Sequence, residues 1–195
     1  MIALPRTFVI AAAFVLLCAN RVPAAEEWGL RPLMNALRQV RSSTARFVET
    51  KYLHLLNQAQ KSSGRLIYVA PDQLQKETLE PVAARLTING DRLTIERQGE
   101  RTQSISLRDN SEIGALVESV RATLAGDELA LTRHFAVTLA GDANGWTLVL
   151  APKEARLREL VNTIRIQGEH AVLRRIETIE ADGDRTDMVI SPDSK

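Results

Sequence analysis

Residues 84–107 read ARLTI-NGD-RLTIER-QGE-RTQSISL, three alternating runs separated by Asn89-Gly90-Asp91 and Gln98-Gly99-Glu100. Asn-Gly between alternating apolar and polar residues is a strong hairpin signal, because the favoured tight turns need positive φ at their central positions. The stretch therefore predicts an antiparallel meander. Reading backwards, Gln73 to Leu79 and Gly64 to Tyr68 (GRLIY) form two more strands divided by Ala70-Pro71-Asp72, and Ser62-Ser63-Gly64 marks a bend. Before it, Phe47, Glu49, Lys51, Leu53 and Leu55 alternate with Val48, Thr50, Tyr52, His54 and Leu56 as on one long strand.

Reading forwards, the period changes. Asp109 to Leu124 places Ile113, Leu116, Val117, Val120 and Leu124 on one helical face, with Asp109, Asn110 or Ser111 as caps and Gly126 as the stop. Strands return at Arg133 to Ala140, Trp146 to Ala151, Leu160 to Gln167, Ala171 to Ile179 and Arg185 to Ile190, with a short helical turn over Pro152 to Arg158. A first helix precedes all of this: WGLRPLMNALRQVR, Trp28 to Arg41, spaces Leu30, Leu33, Met34, Leu37 and Val40 along one face, with Pro32 in its first turn. The expectation is a mainly β, α+β domain of about 10–11 strands in a single antiparallel sheet. So many strands must curl, and the two amphipathic helices supply the cover that the apolar face needs.

The N-terminus has a different character. Arg6 precedes an apolar run from Phe8 to Ala19, followed by Asn20-Arg21 and Val22-Pro23-Ala24-Ala25. The run is short for a bilayer span, which takes about 20 residues, and the small residues after it suit a signal peptidase. Residues 1–25 read as a cleaved secretory signal and 26–195 as one domain. Cys18 raises a lipoprotein signal as an alternative, but bulky Leu17 stands where such a signal needs a small residue. Removing Arg6 and Arg21 leaves 23 Lys+Arg against 24 Asp+Glu, and removing Cys18 leaves no cysteine. The mature chain then has neither disulfide nor thiolate chemistry, and no basic excess for a nucleic-acid backbone.

Reactive clusters are not evident. His54, His134 and His170 lack the paired spacing of a metal site. Asp182-Gly183-Asp184 with Asp187 is far shorter than a calcium loop and reads as a hairpin turn. No nucleophile elbow or phosphate-cradling loop is present, so neither enzyme nor cofactor is expected. Aromatic residues make up 4% of the chain while hydrophobic ones make up 45%, so the sheet's inner face is chiefly aliphatic. Such a face under a helical lid could hold a long alkyl chain, at about 0.8 kcal/mol per buried methylene, or could pack on itself as a filled core. Periodicity alone leaves both open.

Local wording adds to this reading. WGLRPLMNAL, ARFVETKYLHLL, SSGRLIYVAPDQLQKETLEP and LTINGDRLTIE, densest from Trp28 to Gly99, resemble the LolA-like periplasmic outer-membrane lipoprotein carrier family, in its divergent LolA-related branch. The resemblance implies a half-open, LolA/LolB-like β-barrel with a helical lid over a hydrophobic cavity. It implies a periplasmic shuttle for acyl chains of a lipoprotein or other lipid, with an inner-membrane donor, an outer-membrane acceptor, only transient membrane contact and no cofactor. Carried over, Phe47, Leu66, Tyr68, Leu74, Leu86, Ile88, Leu93 and Ile95 fall on strands lining or bordering the cavity, and Leu116, Val117 and Val120 on the lid. One position departs: the family's lid-latching arginine before the strand-ending proline is replaced by Ala70, leaving Lys76 and Arg85 as candidate substitutes. The competing expectation is a periplasmic sensor or scaffold that uses the same fold to bind a protein partner.

Overall fold

The first helix, α1, runs from Leu30 to Arg38 with Pro32 in its opening turn and Leu33, Met34 and Leu37 buried. The computed structural model describes residues 28–54 and 59–193; the expected signal, 1–25, and Leu55 and Leu56 of the expected first strand lie outside them. Six strands follow: β1 (Ser42–Tyr52), β2 (Ala59–Val69), β3 (Gln73–Glu80), β4 (Ala84–Asn89), β5 (Arg92–Arg97) and β6 (Gln103–Ser106). Two helices, α2 (Ser111–Ala125) and α3 (Glu128–His134), lead to β7 (Phe135–Asp142) and β8 (Gly145–Pro152). The short α4 (Ala155–Arg158) precedes β9 (Val161–Glu169), β10 (Val172–Glu180) and β11 (Arg185–Pro192).

All eleven strands form one antiparallel sheet in the order β6-β5-β4-β3-β2-β1-β11-β10-β9-β8-β7. Two meanders thus meet at the β1–β11 pair, where Phe47 lies opposite Ile190. The sheet does not close, and its edges are β6 and β7. Those edges are neighbours in sequence across α2 and α3, so the helices carry the chain from one edge to the other. This is the single curled sheet under helices that the alternation predicts, and the half-open barrel that the resemblance implies.

Several local expectations change. Ser62 to Gly64 is not a bend but the middle of β2. Gly64 is needed there because a Cβ would stand 1.9 Å from the Glu77 carbonyl oxygen and 3.0 Å from the Phe47 ring, and the β2–β3 register slips at this point. In the β4–β5 hairpin, Asn89 pairs with Arg92, so the two-residue turn is Gly90-Asp91. Positive φ falls on Gly90 alone, at 55°, the pattern of a turn with glycine first. Asn110 caps α2 by position without a side-chain cap bond; its Nδ2 donates instead to the Ser106 carbonyl. Helix α3, which the sequence reading misses, starts where the Asp127 carboxylate accepts from the Ala130 N–H.

The interior divides in two. The larger cluster joins α1, α3 and α4 to the inner face of β8 and β9 through Leu33, Leu131, Phe135, Trp146, Leu148, Leu150 and Ile166. The smaller one holds Ile88, Leu93 and Leu107, with Ile113 and Val117 of α2 packed against it. Helix α2 belongs to both, since its Ala115 and Ala122 enter the larger cluster.

Candidate functional site

Between the two clusters lies a cavity of about 450 Å³. Its wall follows the sheet register. Across β1 to β5 one row of directly paired residues is Ser43, Tyr68, Leu74, Ile88 and Leu93. The next is Ala45, Leu66, Lys76, Leu86 and Ile95. Side chains two apart on a strand share a face, so both rows point under the lid. Opposite them, Leu116, Val117, Val120 and Leu124 of α2 form the roof, Leu37 of α1 and Val40 just after it one flank, and Leu173, Ile176, Met188 and Ile190 of β10 and β11 the far wall. The lining is overwhelmingly apolar and aliphatic.

Of the residues singled out from sequence, Leu66, Tyr68, Leu74, Leu86, Ile88, Leu93, Leu116, Val117 and Val120 line this cavity, whereas Phe47 and Ile95 do not. Phe47 starts the third row, opposite Gly64. It is buried, and the Lys76 ammonium sits 5.0 Å from its ring centroid. Lys76 Nζ also donates to Glu49 Oε2 at 2.6 Å. Phe47 and this ion pair therefore stand beneath the second row as a floor. Ile95 packs instead within the smaller cluster. Sequence reasoning misses the flank from α1 and the wall from β10 and β11. The alternation of Leu173 with Arg174 and of Met188 with Val189 was visible, but only the β1–β11 pairing brings it to the site.

The lid is fastened by arginine, from an unexpected side. Lys76 is engaged with Glu49, and Arg85 pairs with Glu77 and Glu96 on the sheet; among the described residues neither bonds to α2. Instead Arg121 of α2 reaches out, its Nη1 donating to the Gly90 carbonyl at 2.9 Å. Glu118, one turn earlier, holds the same guanidinium through its Nε at 2.9 Å. Just past the C-terminus of α2, Arg38 Nη2 of α1 donates to the Gly126 carbonyl at 2.6 Å. Gly126 (φ 63°) has no room for a side chain, because a Cβ would lie 2.0 Å from the Met34 carbonyl oxygen. Both ties thus hold the C-terminal part of α2, one to the β4–β5 turn and one to α1.

Other concentrations of polar groups do not converge on a ligand. Ligating atoms of His54, Asp182 and Asp184 lie within 4.8 Å of one another, but they tie the β10–β11 turn. Asp184 accepts from the His54 backbone N–H at 3.0 Å, Asp182 accepts from the Asp184 N–H, and the Lys51 ammonium is 3.7 Å from Asp184. The His54 backbone bond foremost holds the Asp184 carboxyl below its ordinary range. A depression of about 550 Å³ on the outer face, between Val48, Lys61, Ser63, Glu80 and Pro81, is larger than the lidded cavity but shallow and open to solvent. No helix among the described residues is long and apolar enough to cross a membrane.

A single curled antiparallel sheet with a helical lid over an aliphatic cavity defines the class of lidded, half-open barrels. The chain belongs to the family described as outer membrane lipoprotein carrier protein LolA-like, whose model matches residues 24–193. Among solved structures, the chain is similar to a LolA superfamily protein from Nitrosomonas europaea, at 10% identity and TM-score 0.46, covering 83% of this chain and 90% of that one. A domain from Vibrio parahaemolyticus described as outer membrane lipoprotein-sorting aligns at 12% identity and TM-score 0.42, covering 83% and 88%. The Pseudomonas aeruginosa MucA/MucB complex aligns at 12% identity and TM-score 0.41, covering 85% of this chain and 56% of that one. No curated protein matches in sequence.

Proposed function

We propose that this protein is a periplasmic carrier that takes up an acyl chain of a lipoprotein or other lipid beneath α2 and releases it toward the outer membrane. The observation that carries the reading is the aliphatic cavity of about 450 Å³ under a helix whose C-terminal part is tied to the sheet and to α1. At about 30 Å³ per group the size of a water molecule, that space holds roughly 15 such groups, on the scale of one long chain. Burying that many methylenes yields about 12 kcal/mol gross at ~0.8 kcal/mol each, against an association cost of about 4–15 kcal/mol. Family membership agrees with this role, and the leader expected over residues 1–25 supplies the export it requires.

A scaffold that only binds a protein partner has no use for an unfilled interior, so the cavity favours the carrier. No chemistry is assigned to the site: its charged floor, Lys76 and Glu49, is mutually satisfied. Native mass spectrometry of protein purified from the periplasm tests the reading. A co-purifying species with one or more acyl chains is expected, and a chain free of lipid at every stage of purification rejects it.

A further inference from the structure

Tyr68 carries a polar group that the fold leaves unexplained. The residue is 3% exposed, lines the cavity, and its hydroxyl has no hydrogen-bond partner among the described residues. An orphaned buried donor costs about 1–3 kcal/mol, and native interiors rarely keep one without a reason. Its position is equally specific. Tyr68 is the penultimate residue of β2 and pairs with Ser43 and with Leu74, the second residue of β3. It therefore stands at the rim, beside the β2–β3 turn. Burial pushes the phenol upward, with Arg41 opposing and Asp72 adding to the shift, so charged groups of the rim act on it.

We propose, building on the carrier reading, that Tyr68 is the polar recognition point of the cavity, donating its hydroxyl hydrogen to the carbonyl oxygen at the head of an acyl chain. Ser43, Thr44 and Gln75 also border the cavity and Lys76 is paired with Glu49, while the rest of the lining is apolar, so an aliphatic ligand with an acceptor at its Tyr68 end is the complementary shape. Esters, amides and carboxylic acids share that carbonyl. With the carbonyl at the rim, the methylenes run past Leu66 and Leu86 toward the Phe47 floor, and whatever the acyl group is attached to leaves into water beside Arg41 and Asp72. A chain entering under α2 displaces the side chains that cover the hydroxyl, and the bond formed there offsets part of that displacement.

The test compares the delipidated full chain with Tyr68→Phe, which removes one oxygen and keeps the ring. Tetradecane, methyl myristate and myristate compete for a bound fluorescent probe. In the native protein both oxygenated ligands are expected to bind more tightly than tetradecane. In Tyr68→Phe their advantage shrinks about fivefold, the worth of one net hydrogen bond, while tetradecane binds unchanged and the empty protein melts at the same or a higher temperature. A loss confined to methyl myristate assigns the contact to lipid esters, and one confined to myristate to free acids; either supports the carbonyl contact. Identical ligand ratios in the two proteins overturn the role of Tyr68 and leave the carrier standing. Failure of all three ligands to bind the native protein overturns the carrier reading, and this inference with it.

Discussion

Arg121 on the lid helix and Gly90 in the β4–β5 turn are joined by a hydrogen bond of 2.9 Å from guanidinium to backbone carbonyl. The acceptor is main chain, so no substitution at position 90 removes it, and the tie is controlled from the lid. The turn supports it: positive φ at Gly90 sets the path of a two-residue loop.

Arg121→Ala removes this bond together with the Glu118 pair. The guanidinium is partly exposed, which lowers the worth of its contacts, so a loss of about 1 kcal/mol in global stability is expected. The larger effect is local. Hydrogen exchange should quicken along α2 ahead of the sheet, and a bound fluorescent fatty acid should leave faster in stopped-flow. Unchanged release would mean that this bond does not gate the cavity.

Val117→Asp places a carboxylate in the roof of the cavity, against Ile88 and Leu93. A charge facing an aliphatic ligand without a partner is costly, so acyl affinity should fall by about tenfold or more. Circular dichroism separates this from unfolding: the variant should keep its β signal while binding is lost.

Gly126→Ala addresses the α1–α2 junction. The substitution imposes a left-handed backbone on a residue with a side chain and drives its Cβ against the Met34 carbonyl. Strain and overpacking together are expected to cost about 2–4 kcal/mol. Urea unfolding measures the cost, which should greatly exceed that of Gly99→Ala, a positive-φ position with nothing near its Cβ.

Acid should weaken the β10–β11 turn through Asp184. Its folded-state pKa is depressed, first by the His54 backbone N–H and further by the His54 side chain and Lys51. The stabilisation is therefore present above the unfolded value of about 3.9 and is lost as pH falls through the lower folded value. Asp184→Asn should destabilise at pH 7, and its deficit should shrink in denaturant melts toward pH 3. A deficit independent of pH would assign the role of Asp184 to shape rather than charge.

The parts that were legible in the sequence are those governed by near neighbours. Alternation from Ala84 to Leu107 and glycine-bearing turns gave the meander, and the period over Ser111 to Ala125 gave the lid. Gly64 was misread because a glycine after two serines looks like a bend; its real constraint, the Glu77 carbonyl and the Phe47 ring, comes from other strands. Helix α3 escaped because seven residues hold only two buried ones, Ala130 and Leu131, while Leu129 is 81% exposed. The same locality explains the site. The cavity-facing residues of β2 to β5 and α2 follow from local periodicity, but the β10–β11 wall depends on which distant strand β1 selects. Phe47 was placed on the right strand and face, one row too deep to line the cavity.

That choice of partner also governs how the protein is made. Two hairpin meanders can each assemble from neighbouring strands soon after synthesis, but the seam between them, β1 against β11, joins the first strand to the last. Loop closure over such a span carries an entropic cost that no local contact offsets in advance. Until the residues from Arg185 onward are available, Phe47 has no Ile190 opposite it and the cavity lacks a wall. A chain synthesised from its N-terminus thus cannot complete this sheet before β11 is available. Removal of β11 leaves the two meanders without the seam that joins them.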